Sequence, residues 1–508
     1  MKSQRALGFI LVLILAAMGT LVALHAQQAA PSAKDAQAQA DEKIFAEIHD
    51  HNEIMSNLEY LSDEIGQRLT GSENLKKAND WTRQRFANYG LVNAHLEAWS
   101  IARGWTRGTA RGRILSPAEH SLTIASYGWA PGTGGPVSGP VVYVKGESPS
   151  ELSAYKRKLK GAIVITNTPT PLPPQDTPAP NPMLVPYDDP FLLMRPLRPG
   201  EQPEQERERR RRFMRARLDF LKSEGAIAML TDSGKFDGLL NMTGLGGRSY
   251  GISPIPAAFI TSENYSLIWR LMQRGPVQVE LDIANSFSEK PIEVYNTVAE
   301  IRGSEKPDEF VVLGAHLDSW DLGTGTTDNG TGSMVVMEAA RALQRLGLQP
   351  KRTIRFALFS GEEQGLNGSR AYVAAHKDEV PKISAVLIHD TGTGRVISIS
   401  LMRNYQARQV MDKVVAPMHA LGLLELSERW MTGSDHVPFE EAGVPGFYCI
   451  QESAQYFQTH HSQADTFDQV HEADLVEGAQ AIAAWAYNVA QLPELLPRKP
   501  AKDPSLEQ

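Results

Sequence analysis

Apolar residues recur at helix-like intervals in the first part of the chain: Phe45, Ile48, Ile54, Leu58 and Leu61, then Leu75, Ala78, Thr82 and Phe86 after a break at Gly71-Ser72. Spacings of three and four residues place each set on one helix face. Helices that need a sheet to pack on are therefore expected from residue 41 to about 91. A different texture runs from about Leu115 to Ile283, where short β-rich runs such as Val141–Val144 and Ala162–Thr166 stand between Gly and Pro, with helical patches among them. It predicts a separate β-rich domain. After Asn296, strand-like and helix-like runs alternate: Phe310–Ala315, Met334–Leu346, Thr353–Ser360, Ala371–His376, Ala385–His389, Ala407–Leu421, Gly446–Ile450 and Ala473–Leu492. This alternation predicts an α/β sandwich on a mostly parallel, mixed sheet, a fold in which ligands collect at the carboxyl ends of the strands.

The expected organisation is 1–26 as an export signal or N-terminal anchor, 27–40 as a disordered linker, 41–114 and 291–495 as two parts of one domain, 115–290 as an insertion, and 496–508 as a tail. Met1, Lys2 and Arg5 precede the apolar run Ala6–Leu24, and a polar, Ala-rich stretch follows. That layout fits export. Cleavage after Ala26 fits as well, but Leu24 stands where a small residue is preferred, and the run approaches the length of a bilayer span. A periplasmic or secreted protein and a membrane-anchored one both remain open. Within the insertion, Pro169–Pro203 leads into the charge block Glu204–Arg217. Residues 169–217 are expected as an extended loop and a solvated helix rather than a membrane-binding patch.

With 508 residues the chain exceeds the size of one hydrophobic core, so at least two domains are expected. The net charge of −8 supplies no broad basic field, and nucleic acid is not an expected partner. Cys449 is the sole cysteine. It leaves no internal disulfide and confines any metal site to histidines and carboxylates.

Such residues stand at the ends of the predicted strands. Phe310–Ala315 delivers His316, with Asp318 two positions on as a carboxylate to orient its ring. A Gly- and Thr-rich loop brings Asp328 to the start of a helix. The strand ending at Ser360 runs into Glu362 and Glu363, two adjacent carboxylates that would repel each other if buried without a cation. Ala385–Ile388 ends in His389-Asp390, and a late segment supplies His460 and His461 followed by Asp465. Taken singly, each is better explained as a turn, a cap or a hydrogen-bonded histidine. Together, His316, Asp328, Glu363, Asp390 and His461 suit two zinc ions with one carboxylate between them, and Glu362 is the candidate general base.

At this point the sequence resembles the co-catalytic zinc exopeptidases of the leucyl aminopeptidase and glutamate carboxypeptidase type. The resemblance rests on Leu61–Ser72 (LSDEIGQRLTGS), Gly314–Asp321 (GAHLDSWD), Thr327–Gly330 (TDNG), Ser360–Glu363 (SGEE), Ser434–His436 (SDH) and His460–Thr466 (HHSQADT). It implies a three-layer zinc-exopeptidase fold with an inserted protease-associated domain. It also implies that His316 and Asp390 hold one Zn2+, that Glu363 and His461 hold the other, and that Asp328 bridges them across a cis bond to Asn329. Many relatives carry an acidic residue where Asn329 stands, and some carry Tyr where His460 stands, a place from which His460 would polarise a substrate carbonyl. Ser434–His436 is either part of the substrate pocket or a buried polar loop supporting strand Gly446–Ile450. The expected activity is hydrolysis of short peptides or dipeptides by metal-activated water, with a small peptide as partner, membrane contact only through an uncleaved N-terminal anchor, and a homodimer left open. The alternatives are a zinc acyltransferase of glutaminyl-cyclase type and a catalytically silent receptor or scaffold on the same fold.

Overall fold

The computed structural model describes residues 33–146, 148–172, 203–244, 251–431, 433–453 and 456–500. Residues 1–26, expected as an export signal or anchor, and most of the Pro-rich stretch lie outside the described residues. Two compact units divide the chain, Met1–Lys43 and Ile44–Gln508. Within the first, helix Ala33–His51 already begins in the stretch expected as a disordered linker. Its start is rich in Ala, Gln and Lys, all good helix formers, which outweighs its lack of an apolar stripe.

The second unit is built on a seven-stranded sheet in the order Val92–Ile101, Ile292–Ile301, Arg352–Phe359, Lys306–His316, Ile383–Ile388, Gly446–Gln451 and Val396–Ser400. Arg352–Phe359, Lys306–His316, Ile383–Ile388 and Gly446–Gln451 run parallel. The remaining pairings are antiparallel, so the sheet is mixed, as expected, with its parallel pairs together at the centre. Chain connections explain the difference. Ile383–Ile388 and Val396–Ser400 are separated only by residues 389–395, too few for a parallel crossover, and their directions are therefore opposed.

Inward-facing residues alternate along each central strand. Val311, Leu313 and Ala315 join a core with Met334 and Val335 of helix Thr331–Arg345 and Ile482 and Trp485 of helix Glu472–Ala490. Phe310 and Val312 point the other way, into a core with Tyr372 of helix Asn367–Ala375 and Phe439 of helix His436–Glu441. Helices therefore cover both faces, and the strands read as continuous apolar runs for that reason. The break expected at Gly71-Ser72 is a helix start: Ser72 Oγ accepts from Leu75 N at 3.2 Å and caps helix Glu73–Asn88.

Between Ile101 and Ile292 the chain builds a second, eight-stranded sheet, whose strands run from Ala110 to Ile283. Ile101 and Ile292 are ladder partners in the first sheet. A two-residue ribbon, Trp105–Thr106 against Ser286–Phe287, extends the same antiparallel course beyond them. The intervening residues thus leave and return at one place without interrupting the first sheet. The charge block falls in helix Pro203–Ser223, whose Leu218 and Leu221 are buried against Met229 and Phe259.

Trp485 is fully buried and packs edge-on to Phe447, with ring centroids 6.1 Å apart. Trp485→Ala is expected to cost about 3–5 kcal/mol, read as a lowered urea midpoint; an unchanged midpoint would place the main core elsewhere.

Candidate metal centre

His316 ends its strand with its side chain 1% exposed. Its Nδ1 lies 2.9 Å from the Asp318 carbonyl oxygen and 3.5 Å from the Asp318 carboxylate. The backbone carbonyl, not the carboxylate expected from the sequence, is therefore the nearer orienting group, and Nδ1–H donation leaves the Nε2 lone pair free. Asp318 has other work. Its carboxylate accepts from Thr70 Oγ1 at 2.8 Å and from the Glu362 backbone N–H at 3.3 Å.

Asp328 stands at the centre. Its Oδ1 is 3.2 Å from His316 Nε2, and its Oδ2 is 3.3 Å from His461 Nε2. Asp390 Oδ1 is 3.2 Å from His316 Nε2, and Glu363 Oε2 is 3.0 Å from His461 Nε2. The edge of a tetrahedron with bonds of about 2.0 Å measures roughly 3.3 Å, so these separations suit ligands that share a cation. Asp328 Oδ2 and Glu363 Oε1 are also buried without a hydrogen-bond partner. A zinc ion would supply what those oxygens lack.

Among the described residues, two groups of three bring their ligand atoms within 4.8 Å of one another: His316, Asp328 and Asp390, and Asp328, His460 and His461. In the second group His460 stands 3.8 Å from Asp328 Oδ2. Glu363 approaches His461 more closely than that, while the His460 ring stacks on that of His461 with centroids 3.7 Å apart. Glu363 is therefore the better third ligand.

The surroundings hold these groups in place. The Asp328–Asn329 peptide is cis, as the resemblance implied. Asn329 Nδ2 donates to the His389 carbonyl at 2.8 Å, and its Oδ1 accepts from Gly332 N at 3.0 Å. An ionised acid at 329 could not make the first of these bonds. Ser434 Oγ donates to Asp390 Oδ2 at 2.5 Å, and Tyr448 OH donates to the Asp390 carbonyl. Asp435 accepts from Ser369 Oγ, and His436 packs on Tyr448 with ring centroids 5.0 Å apart. Ser434–His436 is buried and braces a candidate ligand and the strand beside it. Sequence reasoning assigned no role to Arg68. Fully buried, it donates to the carbonyls of Gly66, Leu317, Thr324 and Gly325 and ties together the loop that precedes Asp328. The only signal was its position inside one of the resemblance motifs.

So many buried acids shift one another. Burial pushes Glu362 and Glu363 well above the usual carboxylate range, and Asp435 and Asp465 up to about 7. Burial also opposes ionisation of Asp328, but the His316 hydrogen bond and the charges of His461 and His460 outweigh it and hold that carboxyl well below its usual value. His316 is raised despite burial by Asp390, Asp318 and Asp328.

A model of Peptidase family M28 matches residues 296–486. Carboxypeptidase Q of Xenopus laevis is 31% identical over 457 residues, covering 88% of each chain, and that of Mus musculus is 31% identical over 451 residues, covering 88% of this chain and 87% of its own. This chain belongs to peptidase family M28. The crystal structure of a peptidase M28 precursor from Shewanella amazonensis SB2B matches with TM-score 0.76 and 26% identity, over 92% of this chain and 100% of that one. The M28 chain is a metallo-exopeptidase, as its motifs led one to expect. Near-complete overlap with carboxypeptidase Q disfavours the cyclase alternative, and the full donor set disfavours a silent scaffold.

Metal removal from this M28 peptidase leaves a defined pH signature. The histidines with lowered pKa values are neutral when folded and lose their protons at about pH 6.5 when unfolded, and Lys235, lowered to about 8, gives up its proton earlier when folded; both oppose the larger effect of the carboxyls. The raised carboxyls hold protons in the folded state that they lose in the unfolded one, so stability falls as pH rises. Between about pH 6.5 and about pH 8 the chelator-treated protein should therefore lose thermal stability, and added Zn2+ should restore more of it at the higher pH. A melting temperature that rises over this window would contradict the assigned shifts.

Proposed function

We propose that this chain is a two-zinc exopeptidase that removes residues from the ends of short peptides. His316 and Asp390 would hold one Zn2+, Glu363 and His461 the other, with Asp328 shared between them. One observation carries the reading: the two oxygens of Asp328 turn towards different histidines, at 3.2 and 3.3 Å. When bound, the zinc pair supplies Lewis acidity and lowers the pKa of water towards about 7.

Glu362 is the proton carrier. Its backbone N–H is fixed by Asp318, and burial raises its affinity for a proton. It takes a proton from the attacking water and passes it to the amine nitrogen as the C–N bond breaks. His460, whose ring stacks on that of His461, would polarise the scissile carbonyl oxygen. Asp318, through the Glu362 backbone and the His316 ring, keeps base and ligand in register. The second sheet is assigned as a protease-associated type insertion that shapes the cleft.

Export follows from the N-terminal pattern of Lys2, Arg5 and the apolar run after them. Among the described residues, no helix is long and apolar enough to cross a membrane. A short peptide is the expected partner, and the name carboxypeptidase Q among the relatives favours one with a free carboxyl end.

Glu362→Gln should lower turnover by about 10²–10⁴-fold or more while bound zinc is unchanged. Retained activity in that variant would remove Glu362 as the base. A panel of dipeptides blocked at the amino end, the carboxyl end or neither, assayed with and without chelator, should show chelator-sensitive cleavage that requires a free end. Cleavage of doubly blocked peptides would contradict the exopeptidase reading.

A further inference from the structure

The candidate ligands are not supported alike. His316, Glu363 and Asp390 stand at or just beyond the carboxyl ends of central strands, and Asp328 immediately precedes helix Thr331–Arg345. His461 lies instead on a loop after the short helix Tyr456–Thr459, and its φ of 54° is in the left-handed region. A histidine there needs tertiary support.

Trp320 meets its ring edge-on and Thr327 holds Thr459 and Asp465 on either side of it, and the rest of that support comes from the second sheet. After strand Ala228–Asp232, residues 233–244 run along the histidine loop. Lys235, 6% exposed, donates from Nζ to the carbonyls of Phe457 at 2.5 Å and His460 at 2.8 Å. Its ammonium also sits 4.9 Å from the centre of the Phe457 ring, and Phe236 meets that ring edge-on. Met242 N donates to the His461 carbonyl at 3.0 Å, Asn241 pairs with Ser462 as an antiparallel bridge, and Leu240 N donates to Gln463 Oε1 at 2.8 Å. The holding segment is itself braced: Ser233 Oγ donates to Leu239 O and accepts from Asn241 N, both at 2.7 Å. A buried ammonium is costly unless its donors are used. Here they are spent on the backbone that carries both histidines.

We propose that Lys235 is a positioning residue for His461, so that the second sheet completes one metal site of the pair while the first sheet alone builds the other. The inference rests on the two-zinc reading above. Its consequence is asymmetric: disturbing the contact at 233–244 weakens the Glu363–His461 site and spares the His316–Asp390 site. Zinc at the weaker site then depends on how the second sheet is docked.

The test uses the full chain, stripped with chelator and titrated with Zn2+ against a coloured competitor. Wild type should take up two ions. Lys235→Met should keep one at wild-type affinity and bind the other about 10–100-fold more weakly, the usual effect of losing a group that orients a ligand. Lys235→Arg, which keeps a cationic donor, should recover part of that loss. If Lys235→Met does not fold, Gln463→Ala, which removes the acceptor for Leu240 N and the donor to the Gly238 carbonyl, should still weaken the same site. Two unchanged affinities in a folded Lys235→Met or Gln463→Ala protein, or equal weakening of both sites, would overturn the proposal. A wild type that takes up a single ion would overturn the two-zinc reading beneath it, and is recognised before any substitution is made.

Discussion

A buried carboxylate placed between two imidazoles is the constraint on which the rest of this structure depends. Asp328 is 5% exposed and turns one oxygen to His316 and the other to His461. Glu362, Glu363, Asp390, Asp435 and Asp465 crowd the same region, and burial raises the pKa of each. Such a cluster would be a liability in a protein that bound no cation. Bound divalent cations would compensate it, and the loops around it hold Asp328 between the two histidines. Arg68 ties the loop before it, Asn329 locks the residue after it to the His389 carbonyl, and Thr327 anchors to Asp465 through its N–H and its hydroxyl.

The sheet supplies the convergence. Parallel central strands end on one edge, so His316, Glu363 and Asp390 arrive together although they are far apart in sequence. The antiparallel outer pair serves a different purpose. Because Ile101 and Ile292 are neighbours, a whole second sheet can be grown from that corner without disturbing the ligands. It then returns to the site from outside, through Lys235 and Met242, to meet the loop that carries His460 and His461.

The central strands were legible because both faces are covered: Phe310–Ala315 and Ala385–Ile388 read as unbroken apolar runs, and the candidate ligands His316 and Asp390 stand just beyond them. Glu362-Glu363 was legible for the same reason. The outer strands were not. Val92–Ile101 contains Asn93, His95, Glu97 and Ser100, is only partly covered, and carries no clear apolar signal. Which strands run antiparallel could not be read from local pattern, since direction depends on which distant strand pairs with which. Arg68 and Lys235 escaped for a related reason. Each acts by donating to backbone carbonyls far away in sequence, and composition or spacing carries no trace of such a contact. The exchange of roles at His316, oriented by a carbonyl while Asp318 turns to Glu362, was hidden in the same way.

Anomalous diffraction at the zinc edge, on crystals of the full chain grown with zinc, tests the central claim most directly. Two peaks are expected, one beside His316 and Asp390 with Asp328 Oδ1, the other beside Glu363 and His461 with Asp328 Oδ2. A single peak, or two peaks of which only one touches Asp328, would contradict it.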